Sequence, residues 1–380
     1  MKVYFDNAAS TQVRSEAIEV MTEVMREDYG NPSSVHAFGR DAKSWLGKAR
    51  GHVATALVTK PDNIYFTSGG TEANNWAIFG VADKYSRNGK HIITSEIEHS
   101  AVLDPIKKLE KSGFEVTYLA PDTSGVVPVQ EFKKALREDT VFASVMLVNN
   151  ETGVINPVGD YVSEIKQKKL KTIFHTDAVQ AFCKIPFSVK SLGADLITVS
   201  SHKLHGPKGA GALYIKDDIK LTPLILGGSH EKSNRGGTEA TPALCGFGEA
   251  VKHGFNEQSE IYSHVENLKE YIIENLKEEL PAIVIINETS SSPFILSVSL
   301  PGYKSEVLMN YLDGKDIAVS RSAACKKGAR SRTLEAMRLD DKIIDGALRV
   351  SFSKYSTLKE ADYFIKNLKE ASENVIRFSW

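Results

Sequence analysis

Short apolar segments alternate with segments of helical spacing along residues 63–215, and this alternation limits the possible folds more than any other feature. The apolar segments have the length of strands and end in small or polar residues. Strands that alternate with helices over such a length indicate an α/β fold, with a mostly parallel sheet covered by helices on both faces. The seven predicted strands are 63–67, 91–94, 114–119, 141–148, 172–175, 196–199 and 210–215. The helices predicted in this part of the chain and before it are 15–25, 36–57, 73–85, 100–111, 130–137 and 159–168.

The pattern changes near residue 255. An apolar stripe at spacings of three and four predicts one long helix, and it consists of Ile261, Val265, Leu268, Ile272, Leu276 and Leu280. Strands at 283–286, 295–300 and 348–352 follow, with a helix at 305–312. Thr357 and Glu360 have the spacing of a capping box and open the last helix. We therefore expect a large domain at 12–254 and a smaller α+β domain formed by 1–11 and 255–380.

Composition narrows the range of functions. A chain of 380 residues is long enough for two domains, and a net charge of −1 gives no bulk electrostatic case for binding nucleic acid or an anionic membrane. The three cysteines, Cys183, Cys245 and Cys325, are too few and too scattered for a disulfide framework or a CxxC metal site. No apolar segment approaches the ~20 residues that span a bilayer, and the N-terminus lacks the core of a signal peptide. We expect a cytoplasmic protein without a metal.

The segment 200–209 places a lysine, Lys203, directly after a predicted strand. Ser201 and His202 precede it, and a Gly206-Pro207 turn follows, so the lysine is held by short backbone. A lysine that is partly desolvated and close to other cations has a lowered pKa and can attack an aldehyde. The alternative is a lysine that only contacts a phosphate or the sheet edge, and this segment alone leaves both interpretations open.

Three further motifs stand at strand ends. The turn 68–71 is rich in glycine and leads into a helix, which favours an anion such as phosphate, although such turns are common and this one is neither a Walker loop nor GxGxxG. Asp177 ends a strand at the edge where open α/β sheets bind ligands, although in isolation a residue of this kind more often caps the next helix. His99 lies at a helix start, where a single histidine is more often structural.

Together these motifs describe a more specific site. A phosphate turn, a histidine, the Asn149-Asn150 pair, a carboxylate and a lysine at strand ends match the groups that bind pyridoxal 5'-phosphate (PLP). The lysine would form a Schiff base with the aldehyde of the cofactor. The carboxylate would keep the pyridine nitrogen protonated, so that the ring accepts electrons from a substrate carbanion.

A series of motifs resembles the cysteine desulfurases of the NifS/IscS-like type within the class V aminotransferases, which supply sulfur for iron–sulfur clusters and tRNA modification. The resemblance extends from Tyr4 to the last helix. The motifs that carry it are Tyr4–Ala9, Gly30–Ser34, Phe66–Glu72, Glu98-His99, Val148–Gly153, His175–Gln180, Ser200–Lys203 and Arg235–Thr238. The resemblance implies fold type I of the PLP-dependent transferases and a homodimer with shared sites.

The resemblance also implies roles for individual residues. Lys203 would be the cofactor lysine, Asp177 the partner of the ring nitrogen, and His99 a residue that stacks on the ring and relays protons. Arg349 would clamp the substrate carboxylate, since a guanidinium binds a carboxylate bidentately and stays charged. The other implied positions are Gln180 and Asn150 near the phenolic oxygen (Asn150 also near substrate), Gly70, Thr71, Ser200 and His202 at the phosphate, and Thr238 at the phosphate of the other subunit.

Cys325 is the residue that distinguishes a desulfurase from other members of the family. The family's usual Ser/Gly-Ser-Ala-Cys is altered here to Arg321-Ser322-Ala323-Ala324-Cys325, and a basic segment replaces the one that follows. Small residues before Cys325 and Gly328 after it are typical of a mobile loop. Nearby cations would favour the thiolate, so we expect Cys325 to be the nucleophile and Cys183 and Cys245 to be buried free thiols.

The expected reaction removes sulfur from L-cysteine, giving L-alanine and a persulfide on Cys325. A sulfur-acceptor protein, either a cluster-assembly scaffold or a tRNA-thiolation enzyme, would then take the sulfur. Two enzyme alternatives on the same fold are a selenocysteine lyase and an aminotransferase that needs no Cys325. A non-enzymatic sulfur-carrier scaffold is disfavoured because Lys203, Asp177 and His99 are all present.

Overall fold

The computed structural model describes residues 1–321 and 330–377. Its strands are β1 (Val3–Tyr4), β2 (Ile64–Thr67), β3 (His91–Ser95), β4 (Glu115–Leu119), β5 (Thr140–Ser144), β6 (Ile173–Asp177), β7 (Leu196–Ser200), β8 (Gly211–Ile215), β9 (Val284–Ile285), β10 (Ile295–Ser299), β11 (Ile317–Ala318), β12 (Ser320–Arg321) and β13 (Ala347–Ser351). Its α-helices are α1 (Ser15–Arg26), α2 (Ala37–Leu57), α3 (Gly70–Tyr85), α4 (Ser100–Lys111), α5 (Val129–Ala135), α6 (Val158–Gln167), α7 (Val189–Leu192), α8 (His230–Ser233), α9 (Thr241–Asn256), α10 (Gln258–Glu279), α11 (Ser305–Asp313), α12 (Arg332–Ala336), α13 (Asp341–Asp345) and α14 (Leu358–Asn374).

The central sheet has seven strands in the order β2-β8-β7-β6-β5-β3-β4. All neighbours pair in parallel except β8, which runs antiparallel to both β2 and β7. The predicted fold class, an α/β fold with a mostly parallel sheet of seven strands, is therefore confirmed. The predicted strand 141–148 is shorter than expected and ends at Ser144. Beyond it, the backbone N–H of Met146 donates to the Glu98 side chain (2.8 Å), while that of Leu147 still donates to the backbone oxygen of Asp177 in β6 (3.0 Å).

Helices cover the central sheet on both faces, which explains why its strands read as continuous apolar segments rather than alternating ones. One apolar cluster includes Phe66, Phe174 and Phe247, and a second includes Trp76 and Phe142. Strands β3, β5, β6, β7 and β8 are buried along their whole length. The polar residues that follow these strands therefore lie at the rim of a rigid platform.

Helix α9 was missing from the sequence-based expectation, and its glycines explain why. Gly246 and Gly248 reduce the helix propensity of this segment, but they let α9 lie very close to α1 and α2. A Cβ atom at Gly248 would lie 2.5 Å from Cα and 2.6 Å from Cβ of Ala49 in α2. At Gly246 it would lie 2.6 Å from Cγ of Met21 in α1. The tertiary contact requires glycine, and local sequence cannot show that.

Replacing Gly248 with Ala is expected to lower the free energy of unfolding by about 1–3 kcal/mol, the usual cost of overpacking a close helix contact. The matched control is Gly47→Ala in α2. No atom of the described residues lies within 4 Å of a Cβ at Gly47 beyond its own local helix backbone, so this change should stabilise the protein by about 0.5–1 kcal/mol. Chemical denaturation measures both changes, and equal effects of the two variants would contradict the close packing of α2 and α9.

The part of the chain after α10 contains a second sheet with strand order β12-β13-β10-β9, in which all pairs are antiparallel. The N-terminus joins this part, since β1 pairs in parallel with β11 and Phe5 packs against Phe352 and Phe364. The predicted capping box opens α14, with the Thr357 side chain accepting from the Glu360 backbone N–H (3.3 Å). We propose that this part is the small domain, formed by 1–11 and 255–380, and that 12–254 is the large one.

Two other expectations concern cysteines and membranes. Cys183 and Cys245 are free and buried, as predicted, and burial raises the pKa of the Cys183 thiol and of the Cys245 thiol, the latter to about 12. Within residues 1–321 and 330–377, no helix combines the length and the apolar character that crossing a membrane requires.

Candidate active site

A cavity of about 670 Å³ opens where the carboxyl ends of β6 and β7 meet the first turns of α3 and α4. It brings together ten of the twelve residues that the sequence analysis assigned to the site. These are Gly70, Thr71, His99, Asn150, Asp177, Gln180, Ser200, His202, Lys203 and Arg349. Thr238 is exposed and does not line the cavity, and Cys325 lies outside the described residues.

Lys203 ends the short 3-10 turn that follows β7. Gly206 lets this turn close tightly, since a Cβ atom there would lie 2.1 Å from Oγ of Ser201. The amine of Lys203 donates to the carbonyl oxygens of Ala8 (2.6 Å) and Ala9 (2.8 Å). Burial lowers the pKa of Lys203 to about 8, and the positive charge of Arg349 acts in the same direction. A nucleophilic amine is therefore available near neutral pH.

Asp177 is the last residue of β6 and is buried. Its Oδ2 accepts from the side-chain amide of Asn74 (2.7 Å), and its Oδ1 accepts from the backbone N–H of Val179 (2.9 Å). The capping alternative is thus partly realised, because the carboxylate binds an N–H two residues on, although a turn and not an α-helix follows. Sequence reasoning missed Asn74, and the available signal was a polar residue on the apolar side of α3.

The turn before α3 has a backbone conformation at Gly69 and a close contact at Gly70 that both favour glycine. Gly69 has a φ of 154°, and a Cβ atom at Gly70 would lie 2.9 Å from Cγ2 of Val179. The N–H groups of the first helical turn point out of the helix end, where they favour an anion. The Ser200 hydroxyl is buried and has no hydrogen-bond partner among the described residues. This donor set, with glycine where a side chain would not fit, suits a phosphate group.

The same turn is fixed from outside by an ion pair. The carboxylate of Glu72 accepts from the Ser68 backbone N–H (2.9 Å) and from Nε of Arg235 (2.9 Å). Arg235 thereby ties the segment that carries Thr238 to the turn before α3. Thr238 itself is exposed and is not among the residues that line the cavity.

Two histidines line the cavity, and both are neutral at pH 7. His99 caps α4, where its Nδ1 accepts from the Ala101 backbone N–H (3.1 Å), so the structural role considered for it is also present. This bond leaves the proton of the neutral ring on Nε2. Burial lowers the pKa of His99, with Lys203 and Arg332 acting in the same direction and Asp177 opposing them. Burial and the charge of Lys203 lower the pKa of His202 to about 4.

Arg349 reaches the cavity from β13 in the second sheet, so the site lies between the two sheets. Its Nη1 donates to the backbone oxygen of Asn150 (3.0 Å), and its Nη2 donates to Oδ1 of Asp6 (2.9 Å). Its Nε is buried and has no hydrogen-bond partner among residues 1–321 and 330–377. A guanidinium held in this way has a donor left for an incoming carboxylate.

Glu98 also lines the cavity, although sequence reasoning gave it no role of its own. Its Oε1 accepts from the Ser95 hydroxyl (2.5 Å) and from the Met146 backbone N–H (2.8 Å). Burial raises the pKa of Glu98 to about 8, and the negative charge of Asp177 adds to the effect. The side chain is therefore mostly a neutral acid at pH 7. In the sequence, the only signal for a role of Glu98 in the site was its position directly before His99.

Comparison with known proteins places this geometry in a family. The family model described as aminotransferase class V matches residues 3–364. A cysteine desulfurase IscS of Dictyoglomus turgidum is 40% identical over 377 residues, which cover 98% of this chain and 95% of that protein. Among solved structures, a NifS-like protein has a TM-score of 0.94 and 40% identity over 99% of this chain and 100% of its own. SspA in complex with cysteine has a TM-score of 0.83 and 32% identity, over 94% of this chain and 100% of its own.

The chain therefore belongs to the class V aminotransferase family, whose enzymes depend on PLP. Its donor set fits that cofactor, with a phosphate turn and an unpartnered buried hydroxyl at one side and Lys203 and Asp177 lining the same cavity. Within the family it is an enzyme of the cysteine desulfurase type, among NifS- and IscS-like proteins.

Proposed function

We propose that the cavity binds PLP with Lys203 and Asp177 in the roles expected from sequence, and that L-cysteine is desulfurated there. The observation that carries the proposal is a lysine with a lowered pKa and a fixed carboxylate on one cavity that also has an anion-binding helix start. The similar protein SspA, whose structure is a complex with cysteine, supports the choice of substrate.

When bound, the cofactor supplies an electron sink for the substrate. Asn74 and the Val179 N–H hold the carboxylate of Asp177 in place, so that its charge is fixed for a ring nitrogen. The first turn of α3, with Gly70 and Thr71, binds the phosphate together with the Ser200 hydroxyl and the neutral His202. His99 presents its Nε2 proton to the cavity.

Substrate binding falls to Arg349 and Asn150. The free Nε and the Nη groups of Arg349 offer paired donors to the α-carboxylate of L-cysteine, and Asp6 and the Asn150 carbonyl keep the guanidinium oriented. Lys203 lines the same cavity as Arg349, so its amine would be available to move protons at the substrate α-carbon. A pKa of about 8 lets this amine take a proton and return it at neutral pH.

Sulfur transfer falls to Cys325. Its thiolate attacks the sulfur of the substrate, so that a sulfur–sulfur bond forms while the carbon–sulfur bond breaks, and the electron pair of that bond stays with the substrate carbon. Protons held by Lys203 and His99 then complete L-alanine. The balance is one L-cysteine and one enzyme thiol giving one L-alanine and one enzyme persulfide, without an external oxidant.

We propose that the enzyme works as a homodimer in which Thr238 reaches the phosphate of the other subunit. The exposed position of Thr238 supports this, since its side chain is available to a second copy. The sulfur acceptor is a protein that assembles iron–sulfur clusters or thiolates tRNA.

Incubation of the PLP-loaded protein with L-cysteine tests the proposal. We expect L-alanine in solution and a persulfide on the protein in equal amounts during the first turnover. Amino-group transfer to a keto acid with no persulfide would support the aminotransferase instead. Activity with L-selenocysteine alone would identify a selenocysteine lyase, and a protein that PLP does not turn yellow would contradict the proposed site.

A further inference from the structure

Lys184 is a second lysine, which lies next to the site without lining its main cavity, and no step of the proposed reaction uses it. Its side chain is buried, with 6% of the residue exposed. Its amine donates to Oε1 of Gln180 (3.2 Å) and lies 5.7 Å from the ring centre of Phe294. Within residues 1–321 and 330–377 no carboxylate pairs with this amine, and burying an unpaired charge is costly, so the contact with Gln180 matters for the placement of the side chain.

A chain of hydrogen bonds connects Lys184 to Lys203. Oε1 of Gln180 accepts from the amine of Lys184, and Nε2 of Gln180 donates to the carbonyl oxygen of Ala8 (2.9 Å). Lys203 donates to the same Ala8 oxygen (2.6 Å). A small cavity of about 20 Å³, enough for one water molecule, is lined by both lysines.

The direction of these bonds gives Lys184 a definite effect. In its protonated form Lys184 only donates hydrogen bonds, so that form keeps Oε1 of Gln180 turned toward itself and Nε2 turned toward Ala8. The two amines also repel each other as cations, and burial, Lys203 and Arg349 lower the pKa of Lys184 to about 7. The other charged or titratable groups that line the small cavity are Arg14, Cys183, His205 and Lys354.

We propose that Lys184 is a positioning residue that fixes the amide of Gln180 and, through Gln180 and the Ala8 carbonyl, the amine of Lys203. The inference rests on the proposed role of Lys203 as the cofactor lysine. It predicts that the electronic state of the cofactor on Lys203 depends on a residue that does not line the cofactor cavity.

The test uses the full-length, PLP-loaded protein and Lys184→Met. The visible spectrum is recorded against pH, and the midpoint of its change reports protonation of the nitrogen that joins Lys203 to the cofactor. Removing a nearby cation favours the protonated form, so we expect the midpoint to rise by about one pH unit. Lys269→Met is the matched control, because Lys269 is equally buried, donates to the Ser291 hydroxyl (2.8 Å) and lies in the small-domain part of the chain, so its midpoint should equal that of the wild type.

A second experiment tests whether Gln180 mediates the effect of Lys184 on the midpoint. Gln180→Met alone should raise the midpoint, and adding Lys184→Met should raise it by less than the sum of the single shifts. Fully additive shifts, or a folded Lys184→Met variant with an unchanged midpoint, would overturn the proposal. If Lys184→Met does not fold, Lys184→Gln removes the charge with a polar side chain; the same upward shift is expected, and an unchanged midpoint would again overturn the proposal.

The proposed function and the positioning role of Lys184 can be refuted separately. A wild-type protein that does not turn yellow with PLP contradicts the proposed function. A yellow wild type whose midpoint Lys184→Met leaves unchanged contradicts only the positioning role.

Discussion

Replacing Lys203 with Ala is expected to remove desulfuration, with a loss of roughly three orders of magnitude or more in the rate of L-alanine formation. The variant lacks both the amine that attaches the cofactor and the base that moves protons at the substrate. PLP can still occupy the cavity through its phosphate, but the visible band of the lysine-bound cofactor should be absent. Spectra and L-alanine assays on the same preparations measure the two losses together.

Lys208→Ala is the matched control for this prediction. Lys208 follows the same turn but is exposed and does not line the cavity, so spectrum and rate should both be retained. A Lys203→Ala variant with the wild-type spectrum would show that another amine holds the cofactor. The assignment of Lys203 would then be wrong even if the protein were a desulfurase.

Replacing Cys325 with Ser is expected to leave the yellow cofactor complex intact and to abolish the protein-bound persulfide. A hydroxyl is a far weaker nucleophile toward sulfur than a thiolate, so release of L-alanine from L-cysteine should fall by about a thousandfold. Trapping of persulfide with a thiol-reactive probe and peptide mass analysis checks both the loss and its location.

Cys245→Ser provides the control for Cys325→Ser. Cys245 is buried in α9, and burial raises the pKa of its thiol, so it should neither form the persulfide nor affect the rate. Full desulfuration by Cys325→Ser would refute the nucleophile. Transfer of the amino group to a keto acid that survives the loss of Cys325 would favour the aminotransferase.

The sequence predicted the central sheet well because its signals are local. Buried parallel strands appear as apolar segments, and strands β3, β6 and β7 lie within two residues of the expected positions. The capping residues Thr357 and Glu360 likewise act on the helix that they begin. Since parallel strands end at one edge of the sheet, Asp177 and Lys203 could be predicted to share a site before any coordinates were known.

Features that depend on distant parts of the chain could not be predicted. From sequence, Gly248 only lowers the helix propensity of its segment, and its close contact with Ala49 becomes evident only in the structure. Asn74 and Glu98 gain a role only when the sheet brings Asp177 to one and Met146 to the other. Cys325 lies outside the described residues, so its assignment depends on sequence and family and stays a prediction.

Borohydride reduction of the PLP-loaded protein, followed by peptide mass mapping, tests the proposed attachment of the cofactor to Lys203 most directly. The reduction fixes the cofactor irreversibly on the amine that holds it. We predict that the pyridoxyl group is found on Lys203 and on no other residue. Recovery of the group on Lys184, the other buried lysine of low pKa behind this site, or on no lysine at all would contradict that assignment.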